Sequence, residues 1–273
     1  MNIAEILPEE DYSLKMRFER RTPASFFRPG KDHEEVVSER RHWLTHDSET
    51  CLALAPEGAP LLDETIEIAV ATETLPGENN EWTGRDLDPL EKCKLLGENW
   101  EADFLLMSPD ADGVFRMVGG CLCFPSHWDL AEKMGQPMGA IHKPVPGLND
   151  TLGKQIDGFL RKMKPGISWE RNNWGLSRSP DRNQHPARGL PRLDDTVSLI
   201  DVWWRLEEQS LVALPKSGGI LFGIKIVIRP LSEIAENPSA RRGMIRALET
   251  MPEAMAEYKG ISSARNRLLE LLL

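Results

Sequence analysis

Two late stretches of the chain alternate apolar and polar residues with the two-residue period of a half-buried strand. In residues 199–207, Val202, Trp204 and Leu206 fall on one face and Trp203, Arg205 and Glu207 on the other. In residues 219–229, Phe222, Ile224, Ile226 and Ile228 share a side. Earlier, the apolar runs 103–108 and 114–124 flank Pro109-Asp110-Ala111-Asp112-Gly113, whose turn chemistry predicts a hairpin. Ahead of it the pattern predicts helices over about residues 32–46, 61–75 and 87–100. Between the hairpin and the late strands lies an insert, helical over 151–164 and extended over 167–171, followed by a loop, 175–195, rich in Pro, Gly and Arg. Beyond Pro230 the helical pattern returns, with Ser239 predicted to cap a helix through Glu249, Pro252 suited to a first turn and Gly260 to a stop. The fold class that follows is α+β, built on an antiparallel sheet.

Composition narrows the function. With 273 residues, 40% of them apolar and 28% charged, the chain has the makeup of a soluble globular protein with a real core. Its net charge of −10 argues against nucleic acid as a partner, since binding phosphates needs an excess of Lys and Arg. A cationic substrate is easier to accommodate. Residues 1–11 are acidic and lack the apolar run of a signal peptide, and no stretch reaches the length of a membrane span, so the expected location is cytoplasmic, with no membrane partner. The four cysteines, Cys51, Cys93, Cys121 and Cys123, match neither zinc nor iron–sulfur spacing, and no G-x-G-x-x-G follows a strand. A redox reaction here would therefore draw its electrons from another protein.

The densest cluster of chemistry-bearing residues is Cys121-Leu122-Cys123-Phe124-Pro125-Ser126-His127-Trp128, then Lys133-Met134-Gly135 and Ile141-His142-Lys143-Pro144-Val145-Pro146. Two of the six histidines lie here, held at a strand end and between prolines that restrict the backbone. Rigidly placed histidines suit a metal or a haem. Read from the residues alone, a histidine in a proline-rich loop equally suits a hydrogen-bonded structural role. Arg171-Asn172-Asn173-Trp174 and Glu207-x-Gln209-Ser210-Leu211-x-x-Leu214-Pro215 follow.

These motifs, in this order, resemble the haem-dependent oxidative N-demethylase alpha-subunit family over most of the chain, from Asp11-Tyr12 to about Leu231. The resemblance implies a PAS-like haem-binding fold: a core over residues 101–231, a helical N-terminal extension over 1–100 and a helical tail over 232–273. The order of two strands, a helical insert and further strands is compatible with PAS and with several other α+β folds. The implied activity is oxidative N-demethylation of a small methylated amine such as dimethylamine, using dioxygen and haem b. Electrons would come from a reductase or ferredoxin-type donor, since the chain is expected to carry no flavin or iron–sulfur cluster of its own. A haem-based sensor without turnover is the alternative, and a pocket without haem the third.

Under this resemblance His142 is the candidate iron ligand, with His127 as its rival in the same segment. Cys121 and Cys123 share a strand face and offer a thiolate, or serve as small buried hydrophobes. Arg171 and Arg205 suit haem propionates or the oxygen site, or ordinary salt bridges. Glu207 suits a substrate ammonium. Trp174, with Trp128, Trp169, Trp203 and Trp204, suits a flat cofactor or simply the core. The Arg-rich loop with Arg178, Arg182, Arg188 and Arg192 suits solvent, or an acidic electron donor. The sequence departs from the family pattern at Ala102, Glu208 and Ile228, where the family has Glu, Arg and Tyr.

Overall fold

The late alternating stretches become the two longest strands of a sheet that the computed structural model describes together with the rest of residues 3–75 and 87–273; the other residues of the expected N-terminal extension, 1–2 and 76–86, lie outside the described residues. The strands are β1 (Glu19–Arg21), β2 (Leu52–Leu54), β3 (Asp103–Pro109), β4 (Phe115–Cys121), β5 (Ser168–Ser177), β6 (Trp203–Leu214) and β7 (Gly219–Pro230). They pair in the order β1-β5-β6-β7-β3-β4-β2, every neighbouring pair antiparallel. With the helices packed around this sheet the fold is α+β, as the pattern predicted. No helix among the described residues is long and apolar enough to cross a membrane.

Local chemistry sets the turns. The predicted hairpin forms because the Asp110 carboxylate accepts from the backbone N–H of Asp112 (3.0 Å) and Val114 (2.9 Å), while Gly113 takes φ +74°. At the β6–β7 turn, Glu64 on the helix Ala59–Ala71 reaches across to accept from the N–H groups of Lys216 and Ser217, both at 2.8 Å. That contact fixes the register of the two long strands against the helix.

Several boundaries differ from expectation. The strand predicted over 199–207 begins only at Trp203 and runs on to Leu214, because Ser198 and Asp201 close a capping box around a short 3₁₀ turn, Leu199–Asp201. The extended run expected at 167–171 is a ten-residue strand, so Trp174 belongs to the sheet and the loop begins after Ser177. The late helix is capped by Asn237, whose side chain accepts from Ala240 N–H with Pro238 in the first turn; Ser239 lies inside it. The N-terminal hundred residues are not only helical, since β1 and β2 form the two edges of the sheet.

Two cores form along one face of the sheet. Helices His33–His46, Ala59–Ala71 and Pro89–Gly97 pack Leu44, Leu62 and Leu96 against Phe104, Leu106 and Leu221 of the sheet. The C-terminal helices Leu231–Glu236, Pro238–Thr250, Glu253–Tyr258 and Arg265–Leu272 pack Ile234, Met244, Leu248 and Leu268 against Val202, Trp204 and Leu206. The predicted apolar face of the late strand is thus fully buried. Its polar face points the other way.

Candidate functional site

Residues directly opposite in an antiparallel pair share a face. In the β6–β7 register Arg205 pairs with Ile228, Glu207 with Ile226 and Gln209 with Ile224, while in the β5–β6 register Arg171 pairs with Gln209 and Asn173 with Glu207. One face of the sheet therefore carries a polar group flanked by a row of isoleucines. It borders a cavity of about 1340 Å³, walled on the sheet side by Leu105, Met107, Met117, Ile220, Phe222 and Ile224 and on the insert side by Met138, Ile141, Leu148 and Leu152. This exceeds the roughly 300–1,000 Å³ of common small-molecule pockets, leaving room for a large cofactor beside a small substrate.

The polar group is built around Glu207. Its Oε1 accepts from the Ser126 hydroxyl at 2.5 Å, and its Oε2 from Asn173 Nδ2 at 3.0 Å and Gln209 Nε2 at 2.8 Å. Burial works to raise its pKa, but the Ser126 hydroxyl, the Arg205 charge and the Asn173 amide outweigh it and hold the carboxyl below its usual range. Gln209 in turn accepts from Arg171 Nε at 2.8 Å. Lys259, immediately after the helix Glu253–Tyr258, points Nζ at the Trp174 carbonyl (2.6 Å) and Asn173 Oδ1 (3.4 Å) and lies over the Trp174 ring. Burial and the Arg171 charge pull its pKa down to about 8, with Glu207 opposing.

Arg205 has no donor left for a ligand. Nε donates to Ser126 Oγ at 2.8 Å, one terminal nitrogen to the carbonyls of Arg182 (2.8 Å) and Asp181 (3.4 Å), and the other to those of Phe124 (2.8 Å) and Pro125 (3.4 Å). All five N–H groups are engaged, which leaves no fork for propionates or oxygen. What Arg205 holds is the turn 124–127. There Gln184 N–H donates to Pro125 O (3.0 Å), His127 N–H donates to Gln184 O (3.1 Å), and His127 is kept at φ +62°, in the left-handed region.

Both histidines border the cavity. His142 follows the short helix Met138–Ile141, and neither ring nitrogen has a hydrogen-bond partner among the described residues. Burial, with the Arg171 charge, lowers its pKa to about 4, so the ring is neutral at physiological pH. Burial, Arg205 and Arg192 likewise lower the pKa of His127. A neutral imidazole with a free nitrogen is the form that ligates iron.

His127, His142, Arg171, Trp174, Arg205 and Glu207 all line this one cavity. Ser126, Asn173 and Lys259, not singled out from the sequence, line it too. Ser126 and Asn173 lie inside the motifs quoted above, so the motifs pointed to them. Lys259 before Gly260 reads like any basic helix end, and its contact with Asn173 spans 86 residues.

Other candidates fall elsewhere. Cys121 and Cys123 are buried, with sulfurs 3.8 Å apart, beside the buried ion pair of Arg40 and Asp103. Of the five tryptophans, Trp204 is core and Trp128 lines the cavity, while Trp174 reaches the cavity from the Leu206 face of the sheet, where it packs on the C-terminal core. In the Arg-rich loop, Arg178 pairs with Asp194, Arg182 with Glu35 and Glu39, and Arg188 with Asp181. That pairing leaves little free positive charge for an acidic donor. Among the departures from the family pattern, Glu208 points to the opposite face from Glu207, and only Ile228 shares the face of the polar group.

The site fits a haem. Its apolar walls suit a porphyrin, its neutral histidine suits an axial bond, and cationic groups stand at one side. No three His, Cys, Asp or Glu side chains converge as metal ligands among the described residues. Iron here would take most of its ligands from a porphyrin. A family model described as haem-dependent oxidative N-demethylase, alpha subunit-like, matches residues 18–269.

Proposed function

The chain belongs to the haem-dependent oxidative N-demethylase alpha-subunit-like family, and on that premise we propose that it is an enzyme that removes a methyl group from a small methylated amine. The observation that carries this reading is His142: a neutral imidazole whose ring has no hydrogen-bond partner among the described residues, at the wall of an apolar cavity with room for a macrocycle. In this reading His142 would ligate the iron of haem b, Trp174 and His127 would border the cofactor, and Arg171 would meet its charged edge. When bound, the haem supplies the iron-centred redox chemistry that activates dioxygen. A dimethylamine-like substrate loses its methyl carbon as formaldehyde.

The residues of the chain bind and orient. Glu207 stays ionised, and three of its roughly four acceptor positions are taken by Ser126, Asn173 and Gln209, leaving about one for an ammonium N–H. Arg205 acts through Ser126, whose hydroxyl receives from the guanidinium and donates to Glu207. Across the sheet, Ile226 pairs with Glu207 and Ile228 with Arg205, so the strand beside that acceptor offers apolar neighbours. Reducing equivalents come from a reductase or ferredoxin-type partner. A PAS-like arrangement is supported by the chain order of the hairpin β3–β4, the helical insert, then β5, β6 and β7. The ends of the chain act with that core as one unit, because β1 and β2 complete its sheet and Lys259 of the tail enters its cavity.

The absorption spectrum of the purified, haem-reconstituted protein tests the ligand. His142→Ala should lose or strongly weaken haem retention, whereas His127→Ala keeps a Soret band of axial-imidazole type. The reverse pattern moves the ligand to His127, and no Soret band in the wild type removes the haem altogether. Formaldehyde release from dimethylamine under an electron donor then separates an enzyme from a haem-based sensor.

A further inference from the structure

We infer that Arg171 and Lys259 form a carboxylate clamp at the edge of the cavity, and that the groups it holds are the two propionates of the haem. The inference rests on the haem reading above and names the residues that would receive the cofactor's charged edge.

The polar group on the sheet face is electrically unbalanced. Arg171, Arg205 and Lys259 bring three positive charges and Glu207 one negative, an excess of two. None of these four side chains makes an ion pair within 4.0 Å among the described residues, although ion pairs are common elsewhere on the molecule. Glu207 is held by Ser126, Asn173 and Gln209, all neutral, so it neutralises no cation directly. Like charges held together in a partly buried group are costly without a counter-ion. Two carboxylates would balance this excess.

The donors are free and aimed. Arg171 uses only Nε within the protein, on Gln209, so its two terminal nitrogens have no partner among the described residues. A guanidinium edge of that kind matches a carboxylate in two parallel hydrogen bonds. Lys259 makes two hydrogen bonds and keeps one N–H. Its backbone is anchored between buried Met255, Ala256 and Ile261, and Gly260 at φ +67° ends the helix at that point, so the ammonium is positioned before any ligand arrives. Arg205, engaged on every N–H, is excluded from this role. A porphyrin with an apolar body and two carboxylates at one edge repeats the division of the cavity between its apolar walls and this cationic side. The same chemistry would also receive a carboxylate on the substrate, such as that of an N-methylated amino acid.

Iron-free protoporphyrin IX and its dimethyl ester, titrated into the protein with tryptophan quenching as the readout, test the clamp apart from iron ligation. Wild type should prefer the free acid by about ten-fold or more. Arg171→Met and Lys259→Met should each shrink that preference by weakening the acid much more than the ester, with folding checked by circular dichroism, and Lys259→Arg should recover part of it. Equal affinity of the wild type for acid and ester overturns the clamp even if His142 binds haem normally. Conversely, a preserved acid preference with haem lost in His142→Ala supports the clamp independently of the axial bond. If wild type shows no acid preference but the haem-loaded protein gives an Arg171-dependent Soret shift with N-methylglycine and none with dimethylamine, the carboxylate belongs to the substrate and the propionate assignment falls.

Discussion

Lys259 shows what a single misplaced charge does to a folded chain. Its folded pKa of about 8 lies below the roughly 10.4 of a free lysine, so between those values the unfolded chain binds more protons than the folded one. Stability of the apo-protein should therefore rise as pH climbs from about 8 to 10, and the contribution should be absent in Lys259→Met. Discounted for the partial exposure of the side chain, the expected gain is on the order of 2 kcal/mol. Melting curves of the two proteins across that window decide it; parallel pH profiles would mean that Lys259 titrates normally. Such a residue is illegible in sequence because what lowers its pKa, Arg171 and burial at the edge of β5, is assembled from distant parts of the chain. The placement of the histidines and Glu207 at the cavity was legible because local prolines or strand alternation fix where they point, whereas Arg171 and Trp174 were reached only through the Arg-Asn-Asn-Trp motif of the resemblance. Arg205 was found for its charge, yet its use was hidden, since the carbonyls that occupy it come from two separate loops.

At the scale of elements, the turn 124–127 depends on one side chain from another strand. Arg205→Met would leave the carbonyls of Phe124, Pro125, Asp181 and Arg182 without their donor in a buried setting. The expected loss is about 3–5 kcal/mol in chemical denaturation, accompanied by a changed environment for His127 in NMR spectra. A loss below about 1 kcal/mol would show that water replaces the guanidinium at little cost. Strand existence was readable where one face is apolar, as in β6 and β7. β5 was mostly missed because it has no apolar face to read: Arg171 and Asn173 border the cavity on one side, while Glu170 and Asn172 occupy the other. The start of β6 was misplaced because Ser198 and Asp201 compete locally for the backbone, a capping effect that alternation does not report.

For the whole molecule, the order of elements along the chain was enough to set the class, because hairpin, insert and late strands are separated by clear turn signals. The sequence did not reveal how far the ends contribute. The N-terminal segment packs so closely on the late helix that a Cβ on Gly243 would collide with the Leu7 carbonyl, and the tail delivers Lys259 to the cavity. The electron path is a further property of the whole. With no dinucleotide fingerprint or cluster ligand set in its sequence, the haem-loaded chain should leave NADPH unoxidised until a partner reductase is added. Amine-coupled NADPH consumption by the isolated chain would defeat that expectation. The arginines of the loop after β5 are largely spent on pairs within the chain, Arg178 with Asp194, Arg182 with Glu35 and Glu39, and Arg188 with Asp181.

His127 sits in a backbone conformation that glycine adopts freely and that costs a histidine about 1 kcal/mol. Thermal stability taken alone would favour the substitution His127→Gly at this turn, whose hydrogen bonds run through the backbone and do not use the imidazole. Position 127 is thus a point where robustness and chemistry make opposite demands: a variant selected only for heat resistance drifts toward losing the ring that borders the cavity.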